Sequence, residues 1–486
     1  MVYALLGKPN TPGFIWWALL AALACGLPLA ATRYDALSFI SIWALIHALY
    51  FPFAVWLNLI ASQPGVYEVY LWDATPAAML VMTLGMAGLA LGSKITDSIW
   101  PLNIKGMTQS AIVAEKEIMA VSPKILLCLV SMVIPLALFD LATNNYYHAL
   151  ALGASEWSEE SALAFGFMGY FEYVICAAIL VQLRRYYISR SRRDLAFALI
   201  IALLPVLVYL PGGSRDKILR TSMYPLLVAM MGFPKHYQKK ILLFGAGLFL
   251  GISFLLLAIE TYRGTIYYEM RDSDLTLSER TEIIARSMTN TIIFLEEKTD
   301  VALQLYGRRF ADYVMVGRIT DAFPSELKYR GLKDLEYWPI FILPNPLRPS
   351  TTFDARDSAA LSESVKRGFH SGSSPAMVLG DLYSRFSWLG VFLGMTLVGF
   401  ILRWLDKRLS RFGLFETLLY GVLLVPIVKM PHDSMLAFFL FLTRNMLIAL
   451  LIVAILKKVL SIHRRRGVES LAIPVLSGIP GKQFGK

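Results

Sequence analysis

Charge is scarce in this 486-residue chain. Only 17% of its residues are Asp, Glu, Lys or Arg, against roughly 25% in soluble globular domains. Cysteine is scarcer still. Cys25, Cys128 and Cys176 all fall in apolar runs, which excludes a disulfide framework or a zinc spacing and leaves inert core residues. There is no Walker motif, so ATP-driven transport is not expected. Neither a His-x-x-x-His pair nor an Asp-x-Asp in an obvious cytoplasmic sugar-nucleotide domain occurs, so no metal and no cofactor is expected. Internal repeats and low-complexity segments are missing as well. The net charge of +11 does not point to nucleic acid, because the basic clusters lie between apolar runs, where membrane topology demands them.

What is abundant is hydrocarbon: 56% of the residues are hydrophobic, and the mean hydropathy is +0.56. The apolar residues come in runs of about 18–24, the length that spans a bilayer. The expected fold is all-α, a polytopic membrane protein with about eleven transmembrane helices and one large extracytoplasmic loop domain. The expected spans are 13–31, 37–60, 76–91, 125–141, 161–183, 195–210, 218–232, 241–259, 388–405, 414–428 and 435–456. The first resembles a signal peptide, but it has no basic leader beyond Lys8 and more spans follow, so it reads as a helix.

Basic loops set the orientation. Arg184 to Arg193, Lys235 to Lys240, Asp406 to Arg411 and the tail from Lys457 through Arg466 are expected on the cytoplasmic side. The connections 143–160, 211–217 and 260–375 are then outside, and the acidic Glu156, Glu159 and Glu160 fit that side. Strict alternation puts the amino terminus outside as well. The loops between the first three spans carry few charges, so ten and twelve spans are alternatives. The chain divides into 1–259 (helices one to eight), 260–387 (the outer loop with much of the active site), 388–460 (the last three helices) and a cytoplasmic tail, 461–486.

Segment 260–375 is the only long polar passage, and its unpaired backbone could not sit in hydrocarbon. Residues 277–310 have helical apolar spacing, which fits an amphipathic helix packed on the membrane or the spans. Beyond them Pro324, Pro339, Pro344, Pro346 and Pro349 break regular structure.

Cations gather on the outer side. Ser214 is a plausible helix N-cap, and Arg215 and Lys217 fall in the first turn, where the helix dipole already carries positive charge. Free N–H groups plus two cations make an anion site there, interfacial snorkelling being the ordinary alternative. Arg309, Arg330 and Arg385 add guanidinium groups suited to bidentate phosphate recognition, although each alone also reads as a solvated surface residue. His370 lies in a Gly/Ser stretch that permits close approach to a ligand. His432, followed by Asp433, lies in a short outer hairpin. Glu172 and Arg444 interrupt apolar runs at similar depth and are expected to pair or to line a cavity.

One order of motifs stands out: Gly213-Ser-Arg215, then Pro324 to Gly331 ending in Tyr-Arg-Gly, Trp338-Pro339, Pro344-Asn-Pro346, Ser374-Pro375, and Gly380-Asp-Leu-Tyr383-Ser-Arg385-Phe-Ser-Trp-Leu-Gly390. This order, mainly in the second half, resembles the Wzy-type O-antigen and oligosaccharide repeat-unit polymerases. The family often carries Phe-Gly where this chain has Phe386-Ser387.

The resemblance implies polymerisation of undecaprenyl-pyrophosphate-linked glycan at the outer face of the bacterial cytoplasmic membrane. It needs no nucleotide or metal, and membrane lipid and the flippase and chain-length regulator of the same pathway are its company. On that reading Arg215, Lys217 and Arg385, with Arg309 and Arg330, meet the pyrophosphate, and Trp338, Tyr329 and Tyr383 stack on sugars. His370 is then the base with Asp381 in support, and His432 with Asp433 is the competing pair. An O-antigen-ligase-like transferase and a lipid-glycan flippase are the alternatives.

Overall fold

A computed structural model describes residues 11–32, 38–56, 75–101, 115–135, 159–209, 312–332, 376–409 and 413–471. It also describes isolated positions at 138, 218, 221, 225, 338 and 339 and several between 276 and 293. No strand occurs among them. The helices are α1 (Thr11–Ala31), α2 (Phe39–Ala48), α3 (Thr75–Ile99), α4 (Pro123–Ser131), α5 (Glu159–Ser189), α6 (Arg192–Tyr209), α7 (Asp312–Ala322), α8 (Met377–Leu409), α9 (Leu414–Lys429), α10 (Met435–Leu440) and α11 (Met446–Leu471). A π turn, Leu49–Phe53, extends α2 to Trp56, and a second, Phe441–Asn445, joins α10 to α11.

Five stretches are long and apolar enough to cross a membrane: Phe39–Trp56, Thr75–Ile99, Met377–Leu409, Leu414–His432 and Met435–Val459. Shorter apolar helices cover Ile15–Ala31 and Pro123–Pro135. The spans expected at 218–232 and 241–259, and nearly all of the loop 260–375, lie outside the described residues. At the start of the helix expected over 277–310, Thr276 and Glu279 cap each other reciprocally: the Thr276 amide donates to Glu279 Oε2 at 2.7 Å and the Glu279 amide to Thr276 Oγ1 at 3.4 Å.

The helix ends follow their charges. Ser38 caps α2, its Oγ accepting the Ser41 amide. Glu416 lies in the first turn of α9 and Lys429 in its last, each matched to the helix dipole. On the outward faces Leu389, Leu393 and Leu397 of α8 and Leu447, Leu451 and Ile455 of α11 are exposed every four residues, a stripe that suits lipid rather than water.

The centre of the bundle is the crossing of α3 and α8, which run parallel. A Cβ built on Gly92 would lie 2.0 Å from the Thr396 carbonyl oxygen, and one on Gly399 2.2 Å from that of Leu89. Backbones this close need glycine, the small-residue mode of helix association in lipid. Thr96 Oγ1 donates across the crossing to the Phe400 carbonyl at 3.0 Å.

Charge closes one pole. Arg403 clasps Asp97 through Nε at 2.9 Å and Nη2 at 3.3 Å, and Lys407 Nζ adds a contact at 2.6 Å. Asp406 accepts the Phe39 amide at the start of α2. Arg184 reaches Thr417 at the start of α9. Arg185 joins Asp194 to carbonyls at Ile118, Met119 and Val121. All the basic stretches with described side chains thus share one pole, and α2 and α9 run away from it while α3, α5 and α8 run towards it, as alternation requires. Glu172 is buried in α5, and Arg444 Nε donates to its neighbour Asn445 at 3.3 Å. Among the described ion pairs none joins the two.

Candidate functional site

The opposite pole is organised by a break in α8. Phe386 (φ −141°, ψ 20°) and Ser387 (φ 59°, ψ −154°) are not helical, so α8 is two limbs. The apolar span expected to begin at 388 is its second limb, and the first limb doubles back until Leu382 packs on Gly394. Ser387 occupies a region of backbone space that is nearly reserved for glycine.

The break strips the carbonyls of the first limb of their helical partners. Segment 330–331 supplies replacements: the Arg330 amide donates to the Ser384 carbonyl at 3.0 Å and the Gly331 amide to that of Arg385 at 3.2 Å. Gly331 takes the left-handed conformation (φ 59°) that this docking turn requires. Arg385 Nη1 returns a bond to the Gly331 carbonyl at 3.2 Å. Two motifs some fifty residues apart in sequence are thus one unit in space.

Asp381 is the knot of that unit. It has no exposed surface. Its Oδ1 accepts from Arg330 Nη1 at 3.1 Å, and its Oδ2 accepts from Arg385 Nε at 3.0 Å and from the Met435 amide at 2.8 Å. Asp381 and Arg385 meet because they are four residues apart on one helical face. The Met435 contact puts a carboxylate at the N-terminus of α10, where the helix dipole favours it. The Arg385 side chain is wholly buried, whereas that of Arg330 keeps 17% of its surface exposed, so Arg330 is the cation a ligand can reach.

Aromatic rings flank the knot. Tyr383 lies edge-on to Trp388 at 5.1 Å and to Tyr329 at 6.4 Å, and Phe323 stacks on Tyr329 at 6.1 Å. Trp338 stands apart from this group: its Nε1 donates to Thr443 in the second π turn at 3.3 Å, and its ring lies 6.0 Å from Phe439. His432 is half-buried in a 3₁₀ turn, Met430–His432, with the Tyr50 ring edge-on at 4.1 Å.

No protein-family model, curated protein or solved structure matches the chain. The site therefore rests on its own geometry. Of the residues expected from sequence, the structure brings Arg330, Asp381, Tyr383 and Arg385 together and sets Trp338 against α10 and the second π turn. Arg215, Lys217, Arg309 and His370 lie outside the described residues. Tyr50 was not foreseen; its signal is a tyrosine two residues before Pro52 in a largely apolar run. The amide of Met435, a backbone group, leaves no signal in sequence. Among the described residues no group of three His, Cys, Asp or Glu side chains is placed to hold a metal.

Proposed function

We propose that this protein is a membrane glycosyltransferase that polymerises undecaprenyl-pyrophosphate-linked repeat units at the outer face of the bacterial cytoplasmic membrane. One observation carries the reading: the stretches Pro324 to Gly331 and Gly380 to Gly390, on which the family resemblance rests, dock on each other around Asp381. The reaction moves a glycan from a lipid pyrophosphate to a sugar hydroxyl. Its leaving group is an anion, and preorganised positive charge at such a group is usually the largest catalytic term.

Arg330 would meet the pyrophosphate, aimed by its bond to Asp381, with Arg385 holding the carboxylate from behind. Arg215, Lys217 and Arg309 would add charge from the outer connections. Tyr329 and Trp388, exposed beside the cluster, offer faces for sugar rings. Apart from Glu172 and Arg444, the described ionic groups concentrate at the two poles rather than along a central path, which favours an enzyme over a flippase.

Surface glycan from a deletion strain tests the reading. The expected outcome is single repeat units on the lipid acceptor, restored to long chains by the wild-type gene and not by Arg330→Ala. Complete loss of surface glycan would refute polymerase activity in favour of a ligase or a flippase.

A further inference from the structure

The cluster binds and aims, but a transfer to a hydroxyl also needs a proton acceptor. Asp381 does not qualify by geometry: it has no exposed surface, and three donors already occupy its two oxygens. One of those donors is the Met435 amide, three residues after His432. Asp381 therefore ties the 430–435 hairpin to the two arginines, and a histidine rides on that hairpin.

We propose that His432 is the proton acceptor of this site, that the Tyr50 ring sets its orientation, and that Asp381 is a positioning residue. The inference rests on the glycan-transfer reading above. Several constraints converge on His432. It ends α9 in a 3₁₀ turn closed by the Asp433 amide on the Met430 carbonyl at 3.0 Å. The residue is partly exposed. Tyr50 meets it edge-on at 4.1 Å from the π turn of α2. π turns are uncommon in helices and recur at functional sites. Trp43 Nε1, bonded to the Ile427 carbonyl at 2.9 Å, locks α2 to α9 beneath them.

The same face of α2 carries a second polar group. His47, one turn before Tyr50, is fully buried. Its Nδ1 bonds the Trp43 carbonyl at 2.8 Å, so Nδ1 carries the proton and Nε2 is left as an acceptor. That Nε2 has no hydrogen-bond partner among the described residues. Buried acceptors of this kind are usually satisfied by protein or ordered water. A hydroxyl or water entering with substrate would supply the donor.

In the transfer, the acceptor oxygen bonds to the anomeric carbon as the carbon–oxygen bond to the polyprenyl pyrophosphate breaks. The leaving group takes that electron pair. The acceptor O–H bond breaks in the same step, its proton passing to the His432 imidazole and then to outside water.

The test uses the purified full-length protein, a lipid-linked repeat unit and gel analysis of product length. His432→Ala and the closer isostere His432→Gln should each lose about 10²–10⁴ in rate. Added imidazole should restore part of the activity of the alanine variant, a response that a purely structural residue would not give. Long chains from His432→Ala, or loss in both His432 variants without imidazole rescue, would overturn the assignment while leaving glycan transfer intact. A wild-type protein that makes no long chains would instead overturn the transfer reading, and the assignment with it.

Discussion

Replacing Asp381 with asparagine separates a clamp from a base. The substitution keeps shape and removes charge. In the native protein the carboxylate is fully buried and takes three hydrogen bonds, two of them from guanidinium groups. Asparagine offers one acceptor oxygen where three donors converge, and it leaves the wholly buried Arg385 side chain without the carboxylate it faces. Breaking a buried ion pair by removing one partner costs about 3–5 kcal/mol. A hydrogen bond to a charged group contributes about 1.5–3 kcal/mol, so one retained bond sets the expected loss near the lower end, about 3 kcal/mol. Arg330→Ala should cost less, because Arg385 and the Met435 amide still hold the carboxylate. Unfolding of the detergent-solubilised protein, followed by circular dichroism, measures both. Replacing Asp381 and Arg385 together by leucine and methionine should recover part of the loss, since it removes the wholly buried charge and leaves only the partly exposed Arg330 without its carboxylate. Unchanged stability in Asp381→Asn would refute the clamp.

Other expectations follow from single positions. Ser387→Gly should stabilise the protein by about 1 kcal/mol, because glycine takes a positive φ without the strain serine bears; a lower unfolding midpoint would contradict the strained break. Gly92→Ala should cost about 1–3 kcal/mol by forcing α3 and α8 apart, while Gly26→Ala, which meets nothing within 4 Å, should be neutral or mildly stabilising. The carboxyl of Asp194, in the basic first turn of α6, is pushed up by burial, but bonds from Ser189, Arg185 and Gln182 and the Arg185 charge outweigh that and hold it below its ordinary 3.8. A carboxylate depressed on folding contributes stability above its unfolded pKa and loses it as pH falls through its folded one. The stability advantage of wild type over Asp194→Asn should therefore be full above about pH 4 and shrink below it; an advantage that does not change with pH would count against the pairing. For orientation, cysteine replaces the exposed Ser325 or Arg190 in a background with Cys128 changed to serine, since Cys128 is exposed while Cys25 and Cys176 are buried. A membrane-impermeant thiol reagent on intact cells should label the position at 325 and not that at 190; the reverse pattern would invert the topology.

Sequence alone determined the class of this protein. Hydropathy adds up along contiguous residues, so the runs at 37–60, 76–91, 388–405, 414–428 and 435–456 declare themselves without knowledge of their neighbours, and all five fall on helices able to cross a membrane. The basic stretches are equally local, and the ones described gather at one pole. Even the break in α8 was legible as the point where the apolar run begins, at Trp388. Tertiary structure alone decided what the polar residues do. Asp381 could be read as a base or an orienting group, because a carboxylate takes its role from its partners, and two of its three, Arg330 and Met435, are more than fifty residues away. Tyr50 meets His432 only through the packing of α2 on the α9–α10 hairpin. The α3–α8 crossing depends on two backbones approaching within the radius of a missing methyl group. Such contacts are pairwise and long-range, and no window along the chain contains both members.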